Sequence, residues 1–163
     1  MGLPFAFFYY LVLFPHTMIY IAADHGGYAL KNTLITFLAK QGLSYQDLGN
    51  FIYDEEDDYP DFAFRVAKKV AASKRHKGVL ICGSGVGMVV AANKVRGIRA
   101  AQIFTPYMAR QSREHDDVNV LVFGQKVTSA SKAKKMLQQW LKTEFSKQRR
   151  YSRRVKAIKI FEH

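Results

Sequence analysis

Apolar positions along this chain fall into short blocks that alternate between two periods. From Met18, MIYIAA (18–23) is a continuous apolar run of the length of a buried strand. YALKNTLITFLAKQG (28–42) then places Leu30, Leu34, Phe37 and Leu38 at helical spacing, with Gly42 as the stop. LSYQDL (43–48) predicts a second, weaker strand. The polar stretch 54–61 predicts a loop, in which Pro60 suits the first turn of a helix running through 61–73. The pattern then continues with strand GVLIC (78–82), helix 87–95, strand IRAAQI (98–103), helix 106–115 and strand VNVLVFG (118–124). A long amphipathic helix follows over 129–145, with Ser129 or Ser131 as N-cap, and a last helix over 149–162.

Strands alternating with helices imply right-handed crossovers and a parallel sheet covered on both faces. The predicted fold is α/β: a Rossmann-like three-layer α/β/α sandwich with a five-stranded parallel sheet and an extended C-terminal helix. In such sheets ligands sit beyond the carboxyl ends of the strands. Three turns leave those ends with residues that suggest chemistry: Asp24-His25-Gly26-Gly27, Cys82-Gly83-Ser84-Gly85-Val86-Gly87 and Thr105-Pro106-Tyr107.

The glycine turn matches neither common nucleotide fingerprint. Met88 stands where G-x-G-x-x-G needs its third glycine, no acidic residue follows at the ribose distance, and there is no G-x-x-x-x-G-K-[ST]. Two readings stay open: a row of backbone N–H groups forming an oxyanion hole or anion nest, or tight strand–helix packing without a ligand. Cys82, the lone cysteine, lies against the following helix N-terminus. There it could act as a thiolate base or nucleophile, or fill the core as a small apolar group. Asp24-His25 could hold hydroxyls and move protons, or form a solvated turn with Asp24 capping the next helix. His115 stands just before the fifth strand, where a helix C-terminus favours a cation. His16, His76 and His163 lie in less organised surroundings. No His/Cys cluster has metal-ligand spacing, so no metal is expected.

Composition changes the picture in two ways. A single cysteine excludes an internal disulfide and fits a reducing, cytoplasmic setting. The formal net charge of +12 favours anionic partners such as phosphorylated metabolites, nucleic acid or acidic membrane surfaces. The charge is uneven: Asp54, Glu55, Glu56, Asp57 and Asp58 form an acidic run, and the end of the chain is basic. There Arg150 and Arg154 stand four apart, which suits a phosphate on one helix face, or a solvated basic face, or a weak nucleic-acid patch. The opening MGLPFAFFYYLVLFPHT is too short for a membrane span and lacks the basic n-region of a signal peptide. Met18 is the expected start, with residues 1–17 an apolar extension upstream of a single domain over 18–163.

Taken together, MIYIAADHGGYALKNTL, DYPDFA, GVLICGSGVGMVVAANKVRGIRAA, HDDVNVLVFG and the final RVKAI resemble the ribose-5-phosphate isomerase B family, with which the galactose-6-phosphate and allose-6-phosphate isomerases are grouped. The resemblance runs from Met18 to about Ile158 and rests on D-H-G-G with C-G-[ST]-G-x-G. It implies an aldose–ketose isomerase that interconverts ribose 5-phosphate and ribulose 5-phosphate through an enediolate, without a cofactor. It puts the base at Cys82, a helper hydroxyl at Ser84 and the ring-opening proton donor at His115. It puts the enediolate-stabilising loop at Gly83, Gly85, Val86 and Gly87, and sugar-phosphate contacts at Asp24, His25, Arg150 and Arg154. Two positions depart from the family pattern: Asp116 stands for the usual asparagine and Lys126 for an arginine. The resemblance also implies a homodimer or homotetramer whose pockets a neighbouring subunit completes, with no specific nucleic acid and no membrane partner. The alternatives are a hexose-6-phosphate isomerase subunit and a non-catalytic sugar-phosphate or nucleic-acid binder.

Overall fold

The computed structural model describes residues 17–162. The apolar opening, His16 and His163 therefore lie outside the described residues, apart from Thr17. The elements are β1 (Ile19–Ala23), α1 (Tyr28–Lys40), β2 (Tyr45–Asp47), α2 (Tyr59–Ala71), β3 (Lys77–Cys82), α3 (Val86–Ala92), β4 (Ala100–Gln102), α4 (Pro106–Asp116), β5 (Val120–Gly124), α5 (Ala130–Lys142) and α6 (Arg149–Ile160). A single 3-10 turn, His25–Gly27, links β1 to α1. All strand pairs are parallel, and the order across the sheet is β2-β1-β3-β5-β4.

Three layers follow from the period-two alternation of side chains along the strands. Ile19, Ile21, Ala23, Val79, Ile81, Leu121 and Phe123 face one side, where Leu34 and Leu38 of α1, Ala109 of α4 and Leu137 and Trp140 of α5 cover them. Tyr20, Ala22, Leu80, Cys82, Val120 and Val122 face the other, under Phe62, Val66 and Val70 of α2 and Met88 and Ala92 of α3. The strands are apolar throughout because each is buried on both faces. Each fully buried Val, Leu, Ile, Phe or Met among them contributes about 1.5–3 kcal/mol.

Element ends follow local chemistry. Ser129, not Ser131, caps α5: its hydroxyl accepts from the Lys132 N–H. Helix α2 begins two residues before the expected start, because Pro60 fits its first turn and Tyr59 already adopts the helix. Strands β2 and β4 are only three residues each, since both lie at sheet edges and pair on one side.

Candidate active site

Two turns meet at the carboxyl edge of the sheet. Asp24 ends β1, and its Oδ1 accepts from the Gly27 N–H at 3.1 Å, closing the 3-10 turn. Gly26 then lies against the glycine loop so closely that a Cβ there would stand 2.8 Å from the Gly83 nitrogen. The sequence D-H-G-G is thus explained by contact: glycine is needed where the first turn touches the second.

Cys82 ends β3 and is 5% exposed. The Gly85 N–H donates to its Sγ at 3.0 Å, which fixes the direction of the sulfur. Gly85 can do this because it adopts φ of +92°, a left-handed conformation that L side chains rarely take. Gln102 packs over it and donates to the Ser84 carbonyl at 2.5 Å. Gly87 leaves room for the ring of Tyr59. The Ser84 hydroxyl accepts from the Val86 N–H at 3.3 Å, at the start of α3. Lys126 follows β5, its N–H bonds the Gly83 carbonyl at 3.0 Å, and its alkyl chain passes beside Gly83. Asp24, His25, Cys82, Gly83, Ser84, Gly85, Val86, Gly87 and Lys126 are therefore assembled around one loop.

Gly124 supports that loop from β5. A Cβ there would meet the Ser84 carbonyl oxygen at 2.2 Å, and both atoms are held by backbone. Gly124→Ala is expected to displace the loop, lowering the thermal midpoint by the equivalent of about 1–3 kcal/mol and activity by more than that loss of fold explains. Melting curves beside turnover numbers on the same preparations check it.

His115, Asp116, Arg150 and Arg154 are elsewhere. Helix α4 returns from the carboxyl edge to the amino edge, so its last residues reach the start of β5. The Asp116 carbonyl accepts from Arg99 Nε at 3.0 Å, and Arg99 directly precedes β4. Val120 pairs with Gly78 at that edge, while Gly124 pairs with Cys82 at the other. Four residues of strand separate the two levels by about 13 Å. His115 stacks on Tyr151 of α6, ring centroids 4.0 Å apart at 15°. Arg150 lies over the same Tyr151 ring, its guanidinium carbon 4.4 Å from the centroid, and Arg154 follows one turn later. The amino edge thus carries a second group of the expected site residues, which the fold does not bring to its own Cys82.

Several supporting residues were not singled out by sequence. Asp117, in a left-handed conformation with φ of 50°, accepts from Arg99 Nη2 at 2.7 Å and Arg113 Nη1 at 2.8 Å and so anchors the end of α4 beside His115. Asp57 accepts from both the backbone N–H and the Nδ1 of His25, each at 2.8 Å. Its other oxygen accepts from Asn50 Nδ2 at 2.6 Å. The acidic run 54–58 was legible, but nothing in it marked Asp57 among its neighbours.

Burial raises the Asp24 carboxyl above the usual range, and the nearby His25 opposes that shift. The folded state therefore holds this proton more tightly than the unfolded chain. The carboxylate's contribution to stability falls as pH rises from the ordinary value of 3.8 through the folded one. Asp24→Asn keeps an acceptor for Gly27 and removes the buried charge. It is expected to raise the thermal midpoint at neutral pH by about 2–4 °C, the shift that ~1 kcal/mol gives a domain of this size. Activity should fall in the same variant. Calorimetry of both proteins at acid and neutral pH checks this, with the difference vanishing at low pH.

The fold and this edge of the sheet define a parallel α/β protein with a cysteine-centred site at the strand ends. The family model described as Ribose/Galactose Isomerase matches residues 19–158, and the chain belongs to that family. It is 40% identical over 144 residues to ribose-5-phosphate isomerase B of Escherichia coli (strain K12), covering 88% of this chain and 95% of that one. It is 38% identical over 127 residues to the D-erythrulose-4-phosphate isomerase of Pectobacterium atrosepticum, covering 78% and 84%. Among solved structures, it superposes on ribose-5-phosphate isomerase B from Mycoplasma genitalium with bound ribulose-5-phosphate. The TM-score is 0.86 at 40% identity, covering 90% of this chain and 96% of that one. No helix among the described residues is long and apolar enough to cross a membrane.

Proposed function

We propose that this protein is an aldose–ketose isomerase that interconverts ribose 5-phosphate and ribulose 5-phosphate. The observation that carries the reading is the placement of Cys82 Sγ at the lip of a loop of backbone amides, beside Asp24 and His25. A base next to oriented N–H donors suits removal of a proton alpha to a carbonyl, because the charge that forms on oxygen meets donors already in place.

In this reading His115 donates a proton to the ring oxygen while the anomeric hydroxyl gives up its proton to water, so the bond from carbon 1 to the ring oxygen breaks and the open aldehyde forms. Cys82 Sγ takes the proton from carbon 2, and the electron pair moves onto the carbonyl oxygen of carbon 1. The loop from Gly83 to Gly87 stabilises the resulting enediolate, with the Ser84 hydroxyl beside it. The hydroxyl proton on oxygen 2 passes to oxygen 1, and Sγ returns its proton to carbon 1. Asp24 and His25 hold the sugar phosphate, with Lys126, Arg150 and Arg154 supplying positive charge. Asp116, a carboxylate where an amide would donate, leaves that stretch acceptor-only when ionised.

Such a site needs both half-sites, so the working unit is a homodimer or homotetramer in which a neighbour's α4 and α6 meet the Cys82 loop. Val86, Val90, Phe104, Tyr107 and Val127 leave apolar surface exposed around the carboxyl edge, which favours cover by another subunit.

Conversion of ribose 5-phosphate by the purified chain tests the proposal, with erythrulose 4-phosphate and galactose 6-phosphate as competing substrates. Preference for either competitor moves the substrate within the family. Absence of turnover with steeply salt-dependent binding of polyanions supports the binder reading, motivated by the basic α6.

A further inference from the structure

We infer that Asp57, oriented by Asn50, is a positioning residue for the isomerisation: it locks the His25 ring so that Nε2–H serves as a donor to the substrate phosphate. The inference rests on the reading of His25 as a phosphate contact.

The geometry is a three-membered relay. One oxygen of Asp57 takes both N–H groups of His25, backbone and Nδ1, so the ring cannot turn without losing its partner. The second oxygen takes the amide of Asn50. The Asp57 side chain is 9% exposed and that of His25 is 39% exposed, so the carboxylate is sheltered and the imidazole opens outward. With Nδ1–H donated to the carboxylate, Nε2 is the nitrogen available to a ligand, and it carries hydrogen to donate to a phosphate only while the ring is cationic. Asn50 is itself pinned from α1: the buried Lys31 ammonium donates to the Asn50 carbonyl at 2.6 Å and to Asp47 at 2.7 Å. A flipped Asn50 amide would set its Oδ1 against the Asp57 carboxylate, so Nδ2 stays on the carboxylate while Oδ1 has no partner. Tyr53, in the same loop as Asp57, meets the His25 ring edge-on.

The charged groups facing His25 are Asp24 on its own turn and Asp57 from the loop before α2. The ammonium of Lys31 is engaged by Asp47. The hydrogen bond that His25 Nδ1–H donates to Asp57 is the main cause that lifts His25 above the ordinary histidine value of 6.5, with desolvation opposing it and Asp24 reinforcing it. His25 therefore stays cationic to higher pH than a free imidazole, and this contribution is lost as pH rises through the folded value.

Asp57→Asn is close to isosteric but removes the charge and one of the two acceptor oxygens, so an amide NH2 then faces either His25 or Asn50. Its KM for ribose 5-phosphate is expected to rise about tenfold on the alkaline side of the histidine range, the size of one charge-assisted hydrogen bond. The gap should close on the acid side, where His25 is protonated in both proteins, and kcat should change by less than about threefold. Asn50→Ala leaves the carboxylate in place but free to turn, and should shift KM the same way by a smaller factor. NMR titration of His25 in wild type and Asp57→Asn, with inorganic phosphate as probe, reads the same relay without turnover. A lower titration midpoint and weaker phosphate response in Asp57→Asn support it. A pH-independent loss, a fall confined to kcat, or an unchanged His25 titration overturns it. If the wild type fails to isomerise ribose 5-phosphate, the proposed function fails, while the His25 titration still decides the relay.

Discussion

Cys82→Ala is expected to lower kcat for ribose 5-phosphate by about 10³-fold or more, with KM changing little. A positioned general base contributes about 10²–10⁴-fold, and among the described residues no other titratable side chain is tied to the glycine loop by a hydrogen bond to its amides. KM should hold because the phosphate contacts assigned to His25, Lys126, Arg150 and Arg154 do not involve sulfur. Fold should hold as well: Cys82 faces α2 and α3 among Ala22, Met88 and Val122, where loss of one sulfur leaves a small gap. Steady-state rates together with exchange of the carbon 2 proton into deuterated water give the check. Exchange that persists in Cys82→Ala at the wild-type rate would assign the base to another group.

Cys82 and His115 lie at opposite edges of the sheet. Cys82→Ala and His115→Ala should each be nearly inactive, and mixing them after mild dissociation should restore activity. If His115 serves a neighbour's Cys82, a mixed dimer holds one site with both groups and one with neither. Random pairing makes half of the dimers mixed, so recovery should approach about a quarter of the wild-type rate. A site built within one chain would recover nothing, because every subunit would carry one defect. The structure favours recovery: Cys82 pairs with Gly124 at one end of β5, and the residues around His115 are bonded to Arg99 at the other. Within the single chain, Tyr151 stacks on His115 and Asp117 fixes the end of α4 beside it.

Much of this was legible in the order of residues. The alternation of apolar runs with helical spacing gave the five strands, because burial on both faces forces continuous apolar strands and one-sided burial forces amphipathic helices. The D-H-G-G and C-G-S-G-V-G turns were visible because close approach of backbones admits only glycine, and that requirement is written in composition. The relay from Asn50 through Asp57 to His25 was not visible. Its members lie 7 and 32 residues apart, and Asp57 is one of several acidic residues in a run that solvation alone would explain. Nothing in the basic end of the chain marked Tyr151, which is buried and carries the stack under His115.

By itself, the sequence determined which segments fold into which elements and which residue types stand at the strand ends. Those are local consequences of periodicity, turn chemistry and the absence of side chains at contact points. Only the tertiary structure decided who meets whom. It joined Asp24, His25 and Lys126 to the Cys82 loop, and it sent His115, Asp116, Arg150 and Arg154 to the opposite edge. The reason is the crossover connection: each helix must return to the amino edge before the next parallel strand begins, so a residue at a helix end is carried about the full height of the sheet from one at a strand end.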